Sequence, residues 1–289
     1  MNMNMSMSMR VAKGKSIGLI GVGNIGASIL QGLLAADSTG RAIFISDEKQ
    51  EKLSDFESEP GIEICASNEA VAKEAGILIL AVKPNDMQSV VESIAPFMDE
   101  ETLLISVAAG VPTSVIETYL GAERKVVRVM PNIGARVGES VTALCGGIYA
   151  SEEDERIVKG ILSAIGAVHI VKERDMDVIT GLSGSGIAFF AAVIDAMADG
   201  GVYAGLPRDL ALAISARTAL GAAKLILAGD KPSTVEQITA SPGGTTIRGL
   251  YAMERHGVKA AMMEAVIEAT KRAGEISSTV RTERSVGHR

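Results

Sequence analysis

The chain has 289 residues, of which 47% are hydrophobic and only 3% aromatic, and its formal net charge is −7 at pH 7. This length suits two domains, and the apolar fraction is sufficient for a large core of aliphatic side chains. The acidic balance argues against a nucleic-acid partner, because no basic face that could neutralise a phosphate backbone is evident.

Cysteines and histidines form no recognisable site. Cys65 and Cys145 stand far apart in apolar surroundings, a spacing that indicates neither a disulfide framework nor a metal site. The three histidines are equally scattered. The first ten residues lack an apolar signal core, and no unbroken apolar run of about 18 residues follows them. We expect a cytoplasmic protein with no membrane partner, and a flexible tail over residues 1–14.

The first predicted strand, Ser16–Ile20, leads directly into a glycine turn and then into an apolar helical pattern that reaches Leu34. Strand, glycine turn and helix in this order are typical of dinucleotide-binding proteins. The first glycine permits the tight turn, the second lets the backbone approach a pyrophosphate, and the third lets the helix pack on the strand. The predicted cofactor-binding residues of this turn are Gly21, Gly23, Asn24, Ile25 and Gly26.

A second predicted strand, Ala42–Ser46, ends at Asp47, near the distance at which an acid meets the ribose 2′-OH of a dinucleotide. A carboxylate there favours NADH over NADPH because it repels a 2′-phosphate, whereas Ser46 and Lys49 favour the phosphate. Asp47 also fits the N-cap of a helix over Glu48–Leu53. Both the cofactor preference and the role of Asp47 stay open at this point.

Three further apolar runs lie at Gly76–Val82, Leu103–Gly110 and Lys125–Asn132. Continuous apolar runs of this length indicate buried parallel strands. Ligands of such sheets bind at the carboxyl ends of the strands, so we expect the residues that follow each run to lie near the cofactor.

The last predicted strands are Val141–Leu144 and Ala167–Val171, joined by a crossover helix that Ser151 caps. From Asp175 onward the pattern is helical, which indicates a domain boundary. The prediction is a doubly wound, Rossmann-like α/β domain over residues 15–172, an all-α domain over 173–276 and a flexible tail over 277–289.

Glycine and serine dominate the start of the helical part, at Gly181–Gly186. Each glycine inside a helix costs about 1 kcal/mol relative to alanine, so the segment implies close approach by a neighbouring group. That group is either a packed helix or a ligand. Further helices are predicted over Leu206–Leu227, Ser233–Ala240 and Val258–Ile276.

A loop with two glycines precedes the helical pattern that begins at Thr245 and Thr246. Gly243 and Gly244 follow Pro242, so the backbone can come close to a ligand, and free amides lie beside two hydroxyls at a helix N-terminus. Such a place binds a carboxylate. An ordinary turn followed by a capped helix fits the same residues.

The segment Ser241–Thr246, followed by Gly249-Leu250 and Glu254, resembles the signature of the pyrroline-5-carboxylate reductase family. The resemblance extends from Ile17 to about Ile276. Members of this family reduce a cyclic imine to L-proline with NADPH or NADH. The resemblance therefore implies an oxidoreductase with a small-molecule substrate that assembles as a homodimer or a higher oligomer of dimers.

The resemblance also assigns roles to residues. Thr246 would hydrogen-bond near the ring nitrogen of the substrate as the catalytic residue. Gly181–Phe190 resembles an element that lines the family's substrate cleft, but Ile187 and Phe189 stand where the family has proline and tyrosine. The implied substrate-binding residues are Ser185, Gly243, Gly244, Thr245 and Thr246. The implied cofactor-binding residues, besides the glycine turn, Ser46, Asp47 and Lys49, are Asn68, Val82, Lys83, Pro84, Ala108, Pro131 and Asn132.

Two alternatives make different demands on the sequence. A β-hydroxyacid dehydrogenase or imine reductase of the same plan normally carries a lysine on the first long helix of the helical domain, and none occurs between Gly181 and Gly205. A non-catalytic nicotinamide-binding regulator would keep the glycine turn and lose the Ser241–Thr246 loop, which is intact here.

Overall fold

The structure is a computed structural model that describes residues 16–35, 42–121 and 123–286, with side chains up to residue 279. The tail predicted over residues 1–14 lies outside the described residues. The chain divides into two compact units, of which the second is Ser185–Glu268 and the first comprises the residues before and after it. The units are described separately below.

The first unit is built on one eight-stranded sheet among its described residues, with the order β3-β2-β1-β4-β5-β6-β7-β8. All neighbouring strands are parallel except β6 and β7, which are antiparallel. The strands are β1 (Ile17–Ile20), β2 (Ile43–Ser46), β3 (Ile62–Ile64), β4 (Ile77–Leu80), β5 (Leu103–Ser106), β6 (Lys125–Met130), β7 (Ser140–Gly146) and β8 (Gly166–Ile170). This topology confirms the predicted doubly wound sheet.

Helices cover both faces of this sheet, and the central strand β4 is accordingly apolar throughout. On β4, Ile77 and Ile79 pack into one apolar cluster, whereas Leu78 and Leu80 pack into the other. The helices of this unit are α1 (Asn24–Ala35), α2 (Asn68–Glu74), α3 (Met87–Ile94), α4 (Thr113–Leu120), α5 (Glu152–Leu162) and the short α6 (Met176–Ile179).

Two elements, β3 and the last helix, differ from the sequence prediction, whereas the start of α5 confirms it. β3 was not predicted, because it has only three residues and the polar Glu63 at its centre. The final helix reaches Val286 instead of ending near Ile276, so residues 277–286 are helical although they are polar. The crossover helix α5 begins as predicted, since the Ser151 side chain accepts a hydrogen bond from the Asp154 amide and the Asp154 carboxylate accepts one from the Ser151 amide.

The glycine-serine segment of the first unit departs from an ordinary helix. After α6, residues Thr180–Gly184 form one π-helical turn. Such turns occur often at functional sites, because an extra residue changes the direction in which neighbouring side chains point. The helix expected here is therefore interrupted within the glycine- and serine-rich segment, whose residues are unfavourable in a helix.

The second unit is entirely helical and has almost no interior of its own. Its helices are α7 (Gly186–Tyr203), α8 (Arg208–Leu227), α9 (Pro232–Thr239), α10 (Thr245–Arg255) and the first part of α11 (Val258–Val286). Within it, α7 packs on α8, where Arg208 pairs with Asp199 across 2.6 Å. The buried residues of this unit are Gly186, Ala198, Ala211 and Ser215.

Large apolar side chains remain exposed on these helices. Phe190 and Tyr251, for example, expose 65% and 64% of their surface. Two stretches, Glu173–Tyr203 and Arg208–Leu227, are long and apolar enough to span a membrane, and little of either is buried. No unbroken apolar run was predicted there because charged residues, such as Asp195 in the first stretch and Arg217 in the second, interrupt both. Helices that are buried between subunits have the same length and apolar composition.

Candidate functional site

The carboxyl ends of β2, β1 and β4 meet at the first predicted site. The Gly21 amide donates a hydrogen bond to the Ser46 carbonyl across 2.9 Å, and the Ala81 amide donates one to the Ile20 carbonyl across 2.8 Å. The strand order reverses between β1 and β4, and ligands of doubly wound sheets bind at such a switch point. The sheet topology therefore brings the predicted glycine turn to the expected place.

Two of the three glycines of this turn have a steric reason within the protein. Gly21 has a φ of +95°, and an added Cβ would lie 2.6 Å from the Ala81 carbonyl oxygen. At Gly26 an added Cβ would lie 2.0 Å from the Gly21 carbonyl oxygen, so helix and turn can pack only without a side chain. At Gly23 an added Cβ meets no atom within 4 Å. The packing around Gly23 therefore leaves room for a ligand to approach the backbone.

An open cleft of about 480 Å³ lies at these strand ends. The helix α1 starts at Asn24, directly behind the turn, and its first turn carries no acidic residue. Its free amides and dipole therefore suit a pyrophosphate, so the residues present fit a dinucleotide. The cleft is lined by Ile20, Gly21, Gly23, Asp47, Glu48, Lys49, Lys52, Asn68, Ala81, Val82, Lys83, Asp86, Ser89 and Val90.

Asp47 is held from several sides at this cleft. Its Oδ2 accepts the Val22 amide at 2.7 Å and its Oδ1 accepts the Lys49 amide at 2.9 Å. The Lys52 ammonium lies 3.0 Å from both carboxylate oxygens. Burial works against the charge, but the bonds from Lys49, Lys52 and Val22 outweigh it and hold the pKa of Asp47 below its ordinary value. The carboxylate is therefore charged throughout the physiological range.

The N-cap alternative for Asp47 does not match the helix that follows. A single 3₁₀ turn covers Gln50–Lys52, and its N-cap residue is Lys49. This turn begins too late for Asp47 to cap it. The Asp47 side chain closes a local turn onto the Lys49 amide and also contacts the glycine turn.

Ser46 and Asn68 contact each other, as the Ser46 hydroxyl donates to Oδ1 of Asn68 across 2.8 Å. Asn68 opens α2, whose N-cap is Ser67. Ser46 itself is buried, whereas Asn68 lines the cleft. The structure thus brings Asn68 to the same cleft as Lys49, Val82 and Lys83, and Pro84 follows Lys83 at the start of a short 3₁₀ turn.

The remaining predicted cofactor residues follow the same edge of the sheet, outside the cleft lining. Ala108 lies two residues after β5 and is buried, and its amide donates to the Ser106 hydroxyl across 3.3 Å. Pro131 directly follows β6, which is the neighbour of β5. These residues therefore continue a track along the ends of five adjacent parallel strands.

The polar groups of Asn132 form hydrogen bonds within the protein. Its Oδ1 accepts the Gly134 amide at 3.0 Å, and its Nδ2 donates to the Ser183 hydroxyl at 2.9 Å. Its amide donates to the Ser140 hydroxyl at 3.2 Å. With only 6% of its surface exposed, Asn132 joins the end of β6 to the π-helical turn. Its predicted contact with a cofactor stays a prediction.

The second predicted site lies in the second unit, between α9 and α10. Gly243 has a φ of +71°, a conformation that favours glycine. The Gly244 amide donates to the Ser241 carbonyl across 3.0 Å, and an added Cβ at Gly244 would lie 2.3 Å from the Ser241 hydroxyl oxygen. The two glycines are thus required by a tight turn.

This turn delivers the chain to the N-terminus of α10. The N-cap of α10 is Gly244, which has no side chain, so neither Thr245 nor Thr246 is the N-cap residue. Within the described residues, the Thr246 hydroxyl has no hydrogen-bond partner. The first amides of the helix and this hydroxyl are therefore available to a ligand, and the alternative of a side-chain cap is not met.

Ser185 precedes α7 at its N-cap position, but its side chain makes no capping hydrogen bond. The helix α7, which is described throughout, contains no lysine. The predicted absence of a dehydrogenase-type lysine on this helix therefore also holds for the observed helix boundaries.

Seven lining residues of the cleft were not predicted to bind the cofactor, namely Ile20, Glu48, Lys52, Ala81, Asp86, Ser89 and Val90. Lys52 lies on the 3₁₀ turn after β2, and Asp86 and Ser89 follow β4. For Asp86 and Ser89 the sequence did contain a signal, namely Lys83-Pro84 directly before them. A proline at the start of a turn behind a strand indicates that the chain folds back beside the strand end. Nothing in the sequence pointed to Lys52.

Both cysteines are buried and free, as expected. Burial raises the pKa of Cys145 to about 12, so this thiol is not a nucleophile at neutral pH. Among the described residues, no group of three histidine, cysteine or acidic side chains is placed to hold a metal ion.

Two family models match separate parts of this chain. A family model described as pyrroline-5-carboxylate reductase dimerisation matches residues 173–276. A second model, described as NADP oxidoreductase, coenzyme F420-dependent, matches residues 16–110. The first covers the helical part that contains the Ser241–Thr246 loop, and the second covers the strands around the cleft.

Full-length relatives extend the match to most of the chain. A pyrroline-5-carboxylate reductase of Methanosarcina acetivorans is 43% identical over 264 residues, which are 91% of this chain and 98% of that protein. The structure of a pyrroline-5-carboxylate reductase from Coxiella burnetii has a TM-score of 0.86 at 30% identity, covering 91% of this chain and 98% of that one. The structure of a Plasmodium falciparum pyrroline carboxylate reductase with NADP bound has a TM-score of 0.81 at 29% identity, covering 92% and 99%. This chain therefore belongs to the pyrroline-5-carboxylate reductase family.

Proposed function

We propose that this chain reduces the C=N bond of 1-pyrroline-5-carboxylate with NADPH or NADH and releases L-proline, as the last step of proline biosynthesis. The 43% identity to a reductase of that name over 91% of the chain carries the proposal. The intact Ser241–Thr246 loop supports it from the chain's own residues, because the loop leads into a helix N-terminus without a side-chain cap, where the Thr246 hydroxyl has no partner among the described residues.

The first unit would bind the cofactor. The glycine turn and the N-terminus of α1 suit the pyrophosphate, and the cleft beside Asp47 and Asn68 suits the adenosine half. Ala108, Pro131 and Asn132 would lie toward the nicotinamide. When bound, the nicotinamide supplies the hydride for the reaction.

The second unit would bind the substrate carboxylate at the N-terminus of α10. The amide of Gly244 already donates to Ser241, so we assign the carboxylate to the amides of Thr245 and Thr246. Gly243 and Gly244 then shape the turn and keep side chains away. Ser185 is the second hydroxyl that we assign to the substrate.

The chemistry needs orientation more than a strong acid. A protonated Schiff base is already electrophilic, so holding its carbon in place accounts for much of the rate. Hydride addition to that carbon leaves a neutral secondary amine, which takes up a proton from water. The Thr246 hydroxyl would hydrogen-bond at the ring nitrogen and fix the ring plane.

We also propose that the active protein is a homodimer, or an oligomer of dimers, with residues 173–276 as the dimerisation segment. The exposed apolar helices of the second unit and the matching dimerisation model support this assembly. An obligate interface of this kind buries about 2,000 Å² or more. Light scattering in detergent-free buffer tests it, and a fully active monomer at micromolar concentration would contradict it.

Assembly through these helices accounts for their apolar surface without a membrane, and we place the enzyme in the cytoplasm with no nucleic-acid partner. No feature of the described residues supports the alternatives, which are a β-hydroxyacid dehydrogenase, an imine reductase and a non-catalytic nicotinamide-binding regulator. The lysine that the dehydrogenases place on the first long helix is absent from α7, and the substrate loop that a regulator would lose is present.

A steady-state assay with 1-pyrroline-5-carboxylate and each nicotinamide tests the reaction. We expect oxidation of the nicotinamide that depends on the imine, with L-proline formed in equal amount. A chain that binds the nicotinamide but oxidises it with none of this imine would contradict the proposal.

A further inference from the structure

The carboxylate of Asp47 has no free acceptor position. A carboxylate offers about four lone-pair sites, and Asp47 uses them for the Val22 amide, the Lys49 amide and two contacts with Lys52. The Asp47 side chain is only 5% exposed, whereas that of Lys52 is 37% exposed. The acid is thus enclosed, and the ammonium stands between it and the solvent.

The usual reason for an acid at this position does not hold in this arrangement. Such an acid selects NADH by accepting a hydrogen bond from the ribose 2′-OH and by repelling a 2′-phosphate. Here a ribose hydroxyl would have to displace an existing hydrogen bond. The repulsion is also reduced, because the ammonium lies 3.0 Å from both oxygens of the carboxylate.

Other charges at this cleft balance each other. Lys49 and Lys83 contribute two positive charges, and Glu48 and Asp86 contribute two negative ones. The Asp47–Lys52 pair is neutral as a whole, so the six charged lining residues sum to zero. The preference between a hydroxyl and a phosphate then depends on which member of the pair faces the ligand, and Lys52 is the more exposed one.

We infer that Lys52 determines the cofactor preference of this protein by withdrawing Asp47 from the ribose and by presenting an ammonium to the 2′-phosphate of NADPH. The inference rests on the proposed nicotinamide binding in the first unit. It revises the expectation that Asp47 itself weakens NADPH binding. A lysine ammonium has three donors, so two contacts with Asp47 leave one for a phosphate oxygen.

Binding of two probes without the nicotinamide ring tests this inference apart from the reaction. Isothermal titration calorimetry gives the Kd of ADP-ribose and of its 2′-phosphate. The wild-type protein should bind the 2′-phosphate at least as tightly as ADP-ribose. In Lys52→Met the freed carboxylate accepts the ribose hydroxyl and repels the phosphate, so the ratio of the two Kd values should shift about 10- to 100-fold toward ADP-ribose.

Three further variants sharpen the result. Lys73→Met removes one lysine of α2 outside the cleft lining and should leave the ratio unchanged. Lys52→Gln tests the lost charge in a second way, with a side chain that keeps a donor. The double variant Asp47→Asn, Lys52→Met has no carboxylate at position 47, so much of the shift toward ADP-ribose should disappear.

Two results would overturn the inference. One is a wild-type protein that binds ADP-ribose more than about tenfold tighter than the 2′-phosphate. The other is a folded Lys52→Met or Lys52→Gln whose ratio stays within about threefold of wild type. Failure of the proposed function looks different, because then neither probe binds or both bind without any imine reduction.

Discussion

The side-chain amide of Asn132, at the end of β6, donates a hydrogen bond to the hydroxyl of Ser183 in the π-helical turn, with 2.9 Å between the two atoms. The contact joins the predicted cofactor track to a segment that ends directly before Ser185. Asn132 is buried, so its amide depends on this partner and on a longer contact of 3.4 Å to the Ser183 carbonyl. A serine in this turn therefore has a structural role that its neighbour Ser185 lacks.

The two serines should respond differently to removal of their hydroxyls. Ser183→Ala leaves the buried Asn132 amide poorly satisfied and should lower the free energy of unfolding by about 1–3 kcal/mol. Ser185→Ala should change stability little but raise KM for the imine, since we assign this hydroxyl to the substrate. Urea unfolding and steady-state kinetics of both variants measure this, and equal stability of the two would refute the role of Ser183.

Thr246 is the residue on which the proposed chemistry depends most. Thr246→Ala should lower kcat/KM by roughly 10- to 1,000-fold with little change in stability, because its hydroxyl has no partner within the described residues. Thr246→Ser keeps the hydroxyl and should restore most of the activity. Normal kinetics with a lowered Tm in Thr246→Ala would mean that the residue serves the helix and not the substrate.

Arg128 is a buried charge. Replacing it and removing its two counter-charges should have different effects on stability. Its guanidinium, 3% exposed, lies 3.6 Å from Glu173 and 3.9 Å from Asp177. These carboxylates also accept hydrogen bonds from the Thr113 amide at 2.8 Å and the Ser277 hydroxyl at 2.8 Å. The cluster thus ties β6 to the segment around α6 and to α11.

The double variant Glu173→Gln, Asp177→Asn leaves Arg128 buried without a counter-charge and should lose about 3–5 kcal/mol of stability. Adding Arg128→Met should recover a large part of that loss, because an apolar side chain then occupies the site. Denaturant unfolding measures each variant. If the triple variant is no more stable than the double, the buried charge is not the cause.

Asp47 should contribute to stability in a pH-dependent way. Its pKa in the folded protein lies below the ordinary value of 3.8, so its contribution is complete above that value and is lost as the pH falls through the lowered pKa. The stability difference between wild type and Asp47→Asn should therefore be constant near neutral pH and shrink below about pH 4. Urea unfolding at several pH values measures it. A difference that grows on acidification would contradict the sign.

The sequence predicted the parts of the fold that follow from regular patterns. Continuous apolar runs gave β1, β4, β5 and β6, and the Ser151 cap gave the start of α5. The glycine turn was placed correctly, and Gly21 and Gly26 each have a steric reason within the protein. β3 was not predicted, because an edge strand of three residues needs little apolar surface.

What the sequence could not supply were contacts between residues distant along the chain. The pairing of Asn132 with Ser183 spans 51 positions, and neither residue type indicates it. The Asp47–Lys52 pair is local, yet only the structure shows that the lysine closes over the acid. The π-helical turn was expected as a helix, because glycine content indicates strain but not how the backbone relieves it.

Deuterium transfer tests the central claim most directly. NADPH carrying deuterium at C4 of the nicotinamide, prepared as each of its two stereoisomers, is incubated with the enzyme and 1-pyrroline-5-carboxylate, and the proline is analysed by NMR. The account predicts that one of the two stereoisomers transfers its deuterium to C5 of L-proline, the former imine carbon. Proline without deuterium from either stereoisomer, or no proline at all, would contradict it.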